Sequence, residues 1–182
     1  MLLTGTKILE ELGHNIFIEP FDELCVNPNS YNVHLGNQLL AYTDEILDMK
    51  KKNPYKILTI PEDGFVLLPG KLYLGQTLER TETKKYAPML DGRSSVGRLG
   101  LSIHATAGFG DIGFCGYWTL EISCIQPVRI YPGVEIGQIY YQETAGDDPR
   151  NYYIGGKYQN NDGVQPSMMW KDFERRTIND QH

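Results

Sequence analysis

Residues 116–125 read Gly-Tyr-Trp-Thr-Leu-Glu-Ile-Ser-Cys-Ile. Apolar and polar side chains alternate through the middle of this segment, and in an extended strand successive side chains point to opposite faces. One face carries Trp118, Leu120 and Ile122. The other face carries Thr119, Glu121 and Ser123. The alternation predicts a β-strand that packs its apolar face on a core and presents Glu121 on the other face.

Further runs rich in β-branched and aromatic residues extend this pattern over most of the chain. Clusters of Pro, Gly, Asn and Asp separate them, as at residues 27–30, 61–64 and 132–133. The predicted strands are 15–19, 31–35, 38–42, 56–60, 65–68, 72–78, 101–105, 116–125 and 135–142. Many short strands at this spacing predict an all-β chain that folds as a barrel, sandwich or jelly roll.

Two short helices are predicted beside the strands. Residues 3–12 carry an apolar stripe at helical spacing, and either Thr4 or Thr6 can cap the first turn. The second helix is expected near residues 166–176.

The composition is that of an ordinary globular protein. The chain has 182 residues, 41% hydrophobic and 22% charged, which predicts one domain, residues 1–182, with its own core. The opening segment meets Lys7 and Glu10 too early for a signal peptide or a spanning helix, so a cytoplasmic protein without membrane contact is expected. The formal net charge of −6 argues against a nucleic-acid partner.

The cysteines and histidines show no metal-binding spacing along the chain. They are Cys25, Cys115 and Cys124, and His14, His34, His104 and His182. No Cys-x-x-Cys is present, so the cysteines are expected to be buried free thiols. A zinc deaminase needs His-x-Glu followed by Pro-Cys-x-x-Cys, and neither motif occurs. We therefore expect no zinc, and no other metal held by protein side chains.

Residues 91–100, Asp-Gly-Arg-Ser-Ser-Val-Gly-Arg-Leu-Gly, concentrate groups that bind anions. If Ser94 or Ser95 caps a short helical turn, the backbone N–H groups that follow point at the same spot as the hydroxyls. The guanidinium groups of Arg93 and Arg98 add forked donors that suit phosphate. A capped turn with two solvated arginines is equally compatible with this spacing, because no Walker-type signature is present.

Residues 106–116 are rich in glycine and phenylalanine. The glycines predict a tight hairpin whose backbone a flat ligand can approach closely. Glu121 would project beside this hairpin. A glutamate on a strand is usually solvated, but aromatic neighbours would partly desolvate this one, and that favours a role in proton transfer.

These segments resemble the dCTP deaminase family, which belongs to the dCTP deaminase/dUTPase superfamily. The resemblance covers nearly the whole chain, and its segments follow one another in the family's order. The matching positions are 30–36, 93–100, 106–109, 111, 113–114, 119–121, 136–138 and 156–159.

The resemblance implies a distorted jelly roll, or dUTPase-like β-barrel, assembled as a homotrimer with active sites between subunits. It implies zinc-independent hydrolytic deamination of dCTP. Glu121 would be the general base for the water that attacks C4 of cytosine. Ser94 and the carbonyl of Ala107 would position that water, and Arg98 would support Glu121.

The same resemblance implies how the nucleotide is held. The residues concerned are Arg93, Ser94, Ser95, Val96, Gly97, Arg98, Asp111, Thr119, Leu120, Glu121, Gln138, Tyr153, Lys157 and Asn161. A phosphate-binding tyrosine is expected at either Tyr152 or Tyr153. Mg²⁺ would bind through the triphosphate, residues 147–182 would close over the nucleotide, and dTTP could act as a feedback inhibitor.

The product is predicted from Thr106-Ala107-Gly108-Phe109, which resembles family members that continue to dUMP. The absence of a bulky side chain at Gly108 would free room for a second water near the α-phosphate. The expected products are dUMP, ammonia and pyrophosphate. The alternatives are a monofunctional deaminase that yields dUTP, a plain dUTPase, and a catalytically silent nucleotide-binding regulator.

Overall fold

The structure, a computed structural model, describes residues 1–146 and 152–179. These ranges hold eleven strands, three α-helices and a 3₁₀ turn at Glu23–Cys25, which confirms the all-β prediction. The helices are α1 (Gly5–Glu11), α2 (Ser94–Gly97) and α3 (Trp170–Asn179). The strands are β1 (Ile16–Glu19), β2 (Tyr31–His34), β3 (Gln38–Tyr42), β4 (Tyr55–Thr59), β5 (Phe65–Leu67), β6 (Tyr73–Thr83), β7 (Ala87–Gly92), β8 (Leu101–Ser102), β9 (Cys115–Cys124), β10 (Val128–Ile130) and β11 (Glu135–Gln142). Within the described ranges, no helix has the length and apolar character needed to cross a membrane.

The strands form three antiparallel sheets. A six-stranded sheet has the order β4-β3-β6-β9-β8, with β1 also paired to β6. A three-stranded sheet has the order β2-β11-β7, and β10 pairs with β5. One buried cluster joins the two larger sheets, since it contains Leu39 and Ile122 from the first and Val33 and Tyr141 from the second. This shared core fixes the strands that carry the candidate site.

Strand β9 has the alternation that its sequence predicts. Trp118, Leu120 and Ile122 are 6%, 0% and 0% exposed, whereas the Glu121 side chain is 34% exposed. The indole Nε1 of Trp118 donates a hydrogen bond of 3.0 Å to Thr81 Oγ1, so its polar group is satisfied within the core. The anchored apolar face therefore holds Glu121 on the outer face of the strand.

The first predicted helix is confirmed with nearly the predicted bounds. The C-terminal helix begins and ends later in the sequence than predicted. Thr4 caps α1, because its Oγ1 accepts a hydrogen bond of 3.2 Å from the backbone N–H of Lys7. The C-terminal helix spans Trp170–Asn179 instead of residues 166–176. Ser167 lies before it, and its hydroxyl accepts from the backbone N–H of Met169 at 3.3 Å.

The segment 106–116 does not form the predicted tight hairpin. It belongs to a loop of residues 103–114 that connects β8 to β9. The loop crosses to β7, where Leu90 N donates to Gly108 O at 2.7 Å and Gly110 N donates to Pro88 O at 2.9 Å. Gly108 and Gly110 thus make contacts with a strand of the other sheet, whereas Gly113, with a φ of +92°, lies in the turn of residues 111–114 that leads into β9.

Candidate active site

Helix α2 carries the serines and arginines that the sequence singles out. Its N-cap is Arg93, which has extended backbone angles, and no side chain caps the helix, so the prediction that Ser94 or Ser95 acts as the cap is wrong. Ser94 is already the first helical residue, and its carbonyl accepts from Arg98 N at 3.1 Å. Ser94, Ser95 and Arg98 are exposed, which leaves their polar groups available to a ligand.

Gln138 lies beside this helix and forms one group with it, which we call the arginine part (residues 93–98 with Gln138). Gln138 is paired with Asp91 across β11 and β7. Its Nε2 donates to Gly92 O at 3.2 Å, and its Oε1 accepts from Ser30 Oγ at 3.1 Å. Arg93 forms an ion pair with Glu135 at the start of β11. Gln138 and residues 93–98, which the sequence predicts to bind the same nucleotide, are therefore neighbours in space.

Glu121 forms a second group with the chain that follows β8. Its backbone N–H donates to Ile103 O at 2.8 Å, and its carboxylate Oε2 lies 3.9 Å from His104 Nδ1. His104 is 8% exposed in its side chain, and neither of its ring nitrogens has a hydrogen-bond partner. The sequence prediction missed this histidine, although its position two residues before Thr106 in the matching segment was a usable signal.

Burial lowers the pKa of His104 below its usual value of 6.5, and the carboxylates of Glu121 and Asp91 oppose this shift only in part. The ring is therefore neutral at pH 7. In the unfolded chain the ring gains a proton near pH 6.5, whereas the folded protein resists protonation to lower pH. Its contribution to stability is complete above pH 6.5 and is lost as the pH falls through the lower folded pKa.

We expect the melting temperature to fall as the pH is lowered from neutral to mildly acidic. In His104→Gln, the melting temperature should depend less on pH over this range. The exposed His14 provides the matched control, since His14→Gln should leave the slope unchanged. Thermal melts of the three proteins across this pH range measure the effect. Equal slopes in all three would show that His104 does not control it.

A cavity of about 600 Å³ lies beside the loop of residues 103–114 and collects several predicted nucleotide-binding residues. Asp111, Tyr152 and Lys157 line it, together with Phe109. Tyr153 points elsewhere, because its hydroxyl donates to Glu82 Oε1 at 2.9 Å. Of the two alternative tyrosines, the structure therefore places Tyr152 on the cavity wall.

Lys157 and Asn161 are both engaged within the chain. Lys157 Nζ lies 2.5 Å from Asp172 Oδ2 of α3. Asn161 pairs with the free edge of β9, since its Oδ1 accepts from Tyr117 N at 3.0 Å and its Nδ2 donates to Tyr117 O at 3.1 Å. A side-chain amide thus replaces a neighbouring strand at this point. Phosphate binding by Asn161, as predicted, would require these bonds to break.

Ser94 and Arg98 lie on α2 and at its C-cap, whereas Glu121 lies on β9. β8 pairs with the end of β9 through Leu101 and Cys124, and Glu121 lies three residues earlier, about 10 Å along the strand. Among the residues that the structure describes, no hydrogen bond or ion pair joins Ser94 or Arg98 to Glu121.

Comparison with known proteins identifies the family. Residues 2–144 match the family model described as dCTP deaminase-like. The chain belongs to the dCTP deaminase-like family. Over 175 residues it is 63% identical to the dCTP deaminase, dUMP-forming, of Clostridium beijerinckii, which covers 96% of this chain and 100% of that protein. The enzyme of the same name from Cytophaga hutchinsonii is 57% identical over 175 residues, again 96% of this chain and 100% of that protein.

Membership in the dCTP deaminase-like family agrees with the three-dimensional comparison. The crystal structure of 2′-deoxycytidine 5′-triphosphate deaminase from Agrobacterium tumefaciens superposes with a TM-score of 0.60 and 20% sequence identity. The match covers 78% of this chain and 48% of that chain. At this identity the likeness concerns the fold alone, and it confirms the predicted distorted jelly roll.

In this dCTP deaminase-like chain, the structure explains the glycine at position 108 by its close approach to strand β7 and not by space for a second water. A Cβ at this position would lie 2.2 Å from the carbonyl oxygen of Leu90. A side chain would therefore push the loop away from β7 instead of filling space near a phosphate. Phe109, which follows, is 66% exposed and lines the cavity. The glycine thus sets where the loop and Phe109 lie.

The cysteines and histidines are less scattered in space than in sequence. All three cysteines are free and buried, as predicted. Cys25, His34 and Glu135, however, place one potential ligand atom each within 4.8 Å of one another. These three residues form a candidate ligand set that their spacing along the chain did not indicate. Neither Glu121 nor any residue of the arginine part belongs to it.

Proposed function

We propose that this chain converts dCTP and two waters into dUMP, ammonia and pyrophosphate. The observation that carries the proposal is its 63% identity, over nearly the full length of both proteins, with an enzyme named dCTP deaminase, dUMP-forming. The outward position of Glu121 on β9 supports it, since a carboxylate that is 34% exposed is open to both water and substrate. The reaction supplies the dUMP from which thymidine nucleotides are made.

Glu121 is the proposed general base. It removes a proton from the water that attacks C4 of cytosine, and then passes a proton to the leaving amino group, which departs as ammonia. The Ala107 carbonyl and the Ser94 hydroxyl position this water, and Arg98 supports the carboxylate. Zinc has no part in this scheme, because a carboxylate performs the proton transfers and the Cys25 cluster does not include it.

The proposed nucleotide contacts are divided between two regions of the chain. Arg93 and the hydroxyls of Ser94 and Ser95 suit the triphosphate. Val96 and Gly97 belong to the same proposed set, but their backbone N–H groups donate to Arg93 O at 3.0 and 2.9 Å, so they would contact the nucleotide without those donors. On the other side, Asp111 in the cavity accepts from the sugar 3′-hydroxyl. The cytosine base is read by the backbone of residues 119–121, and Gln138, Tyr152 and Lys157 complete the set.

In this proposal, Mg²⁺ binds to the phosphates of the nucleotide and not to side chains of the protein. The arginine part offers guanidinium, hydroxyl and amide donors, which fit phosphate oxygens, while the oxygen ligands that Mg²⁺ prefers come from the phosphates themselves. When bound, the ion neutralises phosphate charge. The residues of this chain then orient the nucleotide and hold the attacking water.

The same proposal includes a homotrimer with active sites between subunits, which agrees with the lack of any hydrogen bond or ion pair between Arg98 and Glu121 among the described residues. If the arginine part of one subunit approaches Glu121 of the next, the two regions form one site. Closure by residues 147–182 is part of the same proposal, although residues 147–151 and 180–182 lie outside the described structure. Feedback inhibition by dTTP and a cytoplasmic location stay predictions.

Product analysis tests the proposed reaction. With dCTP and magnesium, we expect dUMP, ammonia and pyrophosphate in equal amounts, without accumulation of dUTP. Chromatography of the nucleotides and assays of ammonia and pyrophosphate measure this. Accumulation of dUTP and ammonia without pyrophosphate would reject the dUMP-forming step and leave the deaminase. Turnover of dUTP but not of dCTP would indicate a dUTPase, and no turnover of either would indicate a silent nucleotide-binding protein.

A further inference from the structure

The side chains of Cys25 and His34, which are nine residues apart, meet Glu135 from a distant part of the sequence at a place that borders the arginine part through Arg93. Cys25 lies in the 3₁₀ turn, His34 ends β2 and Glu135 begins β11. Cys25 Sγ is 3.9 Å from His34 Nε2 and 4.0 Å from Glu135 Oε1. In a tetrahedral zinc site, ligand atoms at their usual distances from the metal lie about 3.5 Å apart. The two distances from Cys25 Sγ exceed this spacing by about 0.5 Å, and the three ligand atoms all lie within 4.8 Å of one another.

A buried carboxylate orients His34. Glu79 is 1% exposed, and it accepts from the backbone N–H of His34 at 2.9 Å and contacts the ring Nδ1 at 2.5 Å. With Nδ1–H donated to Glu79, the lone pair of the neutral ring is on Nε2, which faces Cys25. Carboxylates commonly hold metal-binding histidines in this way. A fully buried glutamate is unusual. Orienting the imidazole ring of His34 would explain why Glu79 is buried here.

Glu135 is held in a similar manner. Its Oε2 accepts from Asn32 Nδ2 at 3.3 Å and forms an ion pair with Arg93, while Oε1 faces Cys25. The pairing of β11 with β2 shifts between Glu135 and Gly137, and such a bulge redirects the side chain beside it. One oxygen is therefore anchored, and the other is directed into the cluster.

We propose that Cys25, His34 and Glu135 bind a zinc ion, with water as the fourth ligand. Thiolate sulfur, imidazole nitrogen and carboxylate oxygen form a ligand set that suits Zn²⁺. The thiolate and the Glu135 carboxylate neutralise the two charges of the ion. Binding would link the 3₁₀ turn to β2 and β11. It would also fix Glu135, the partner of Arg93.

Metal binding by the full-length protein tests the site directly. Chelator-treated wild-type protein, freed of chelator and kept reduced, is titrated with Co²⁺, a spectroscopic substitute for zinc. We expect one equivalent per chain, an intense near-ultraviolet thiolate-to-cobalt band, and loss of that band when Zn²⁺ is added. A spectrum of hydrated Co²⁺ throughout would overturn the proposal and leave Cys25 as a hydrogen-bonded thiol.

Cys25→Ser and Cys124→Ser form a matched pair, because both cysteines are buried and only Cys25 belongs to the cluster. The thiolate band should disappear in Cys25→Ser and persist in Cys124→Ser, and Zn²⁺ should raise the melting temperature of the second protein only. Equal behaviour of the two variants would contradict the site. If Cys25→Ser does not fold, His34→Gln replaces it, with an expected loss of zinc affinity of at least about tenfold. The wild-type titration decides the question even if neither variant folds.

Discussion

Replacing Glu121 with glutamine is expected to lower kcat for dCTP deamination by a factor of about 10² to 10⁴ or more. The amide keeps the size and shape of the side chain but cannot accept a proton from water. Because Glu121 lies on the outer face of β9, the core positions of that strand are unaffected, and the variant should fold. Initial rates of ammonia release, compared with wild type, measure the effect.

Two further measurements separate loss of the base from loss of the fold. Glu19, an exposed glutamate at the end of β1, provides the control, since Glu19→Gln should retain wild-type turnover. Binding of dCTP to Glu121→Gln should be largely preserved, because the proposed phosphate contacts lie in the arginine part. Near-normal turnover by Glu121→Gln would show that another group is the base.

The strand that carries Glu121 was predictable because its burial follows a period of two. Local sequence was less informative for β7, where Pro88 and the final Asp91-Gly92 resemble a loop. β7 is the edge strand of its sheet, where proline is tolerated, and its pairing with β11 makes it a strand. That pairing joins segments more than 40 residues apart, which no short window of sequence contains.

The same limit applies to the site. The arginine part was predictable because most of it is contiguous, and Gln138 entered through the family resemblance. Residues whose neighbours are distant in sequence were interpreted less well. The pairing of Asn161 with the edge of β9 was not predicted, and its role as a phosphate ligand stays a prediction. His104 and the Cys25 cluster were missed, because their partners become neighbours only through strand pairing and the long loop.

Arg98→Ala should also remove most of the activity, because it leaves the proposed base without its cationic partner. Arg98 is exposed and is the C-cap of α2, and among the described residues no hydrogen bond or ion pair joins it to Glu121 of its own chain. If Arg98 acts on Glu121 of the neighbouring subunit, the two substitutions damage opposite halves of each site. Proteins that carry one substitution each are then able to complement one another, which a site within a single subunit would not allow.

Activity should therefore return when inactive Glu121→Gln and Arg98→Ala subunits are dissociated, mixed in equal amounts and reassembled. Each mixed trimer contains one site with Arg98 from the first variant and Glu121 from the second. Random assembly makes about three quarters of the trimers mixed, so about a quarter of all sites should be intact. Each variant treated alone should stay inactive. Proof of subunit exchange by mass spectrometry without any recovery of ammonia release would place Arg98 and Glu121 in separate sites and refute the proposed assembly of the active site.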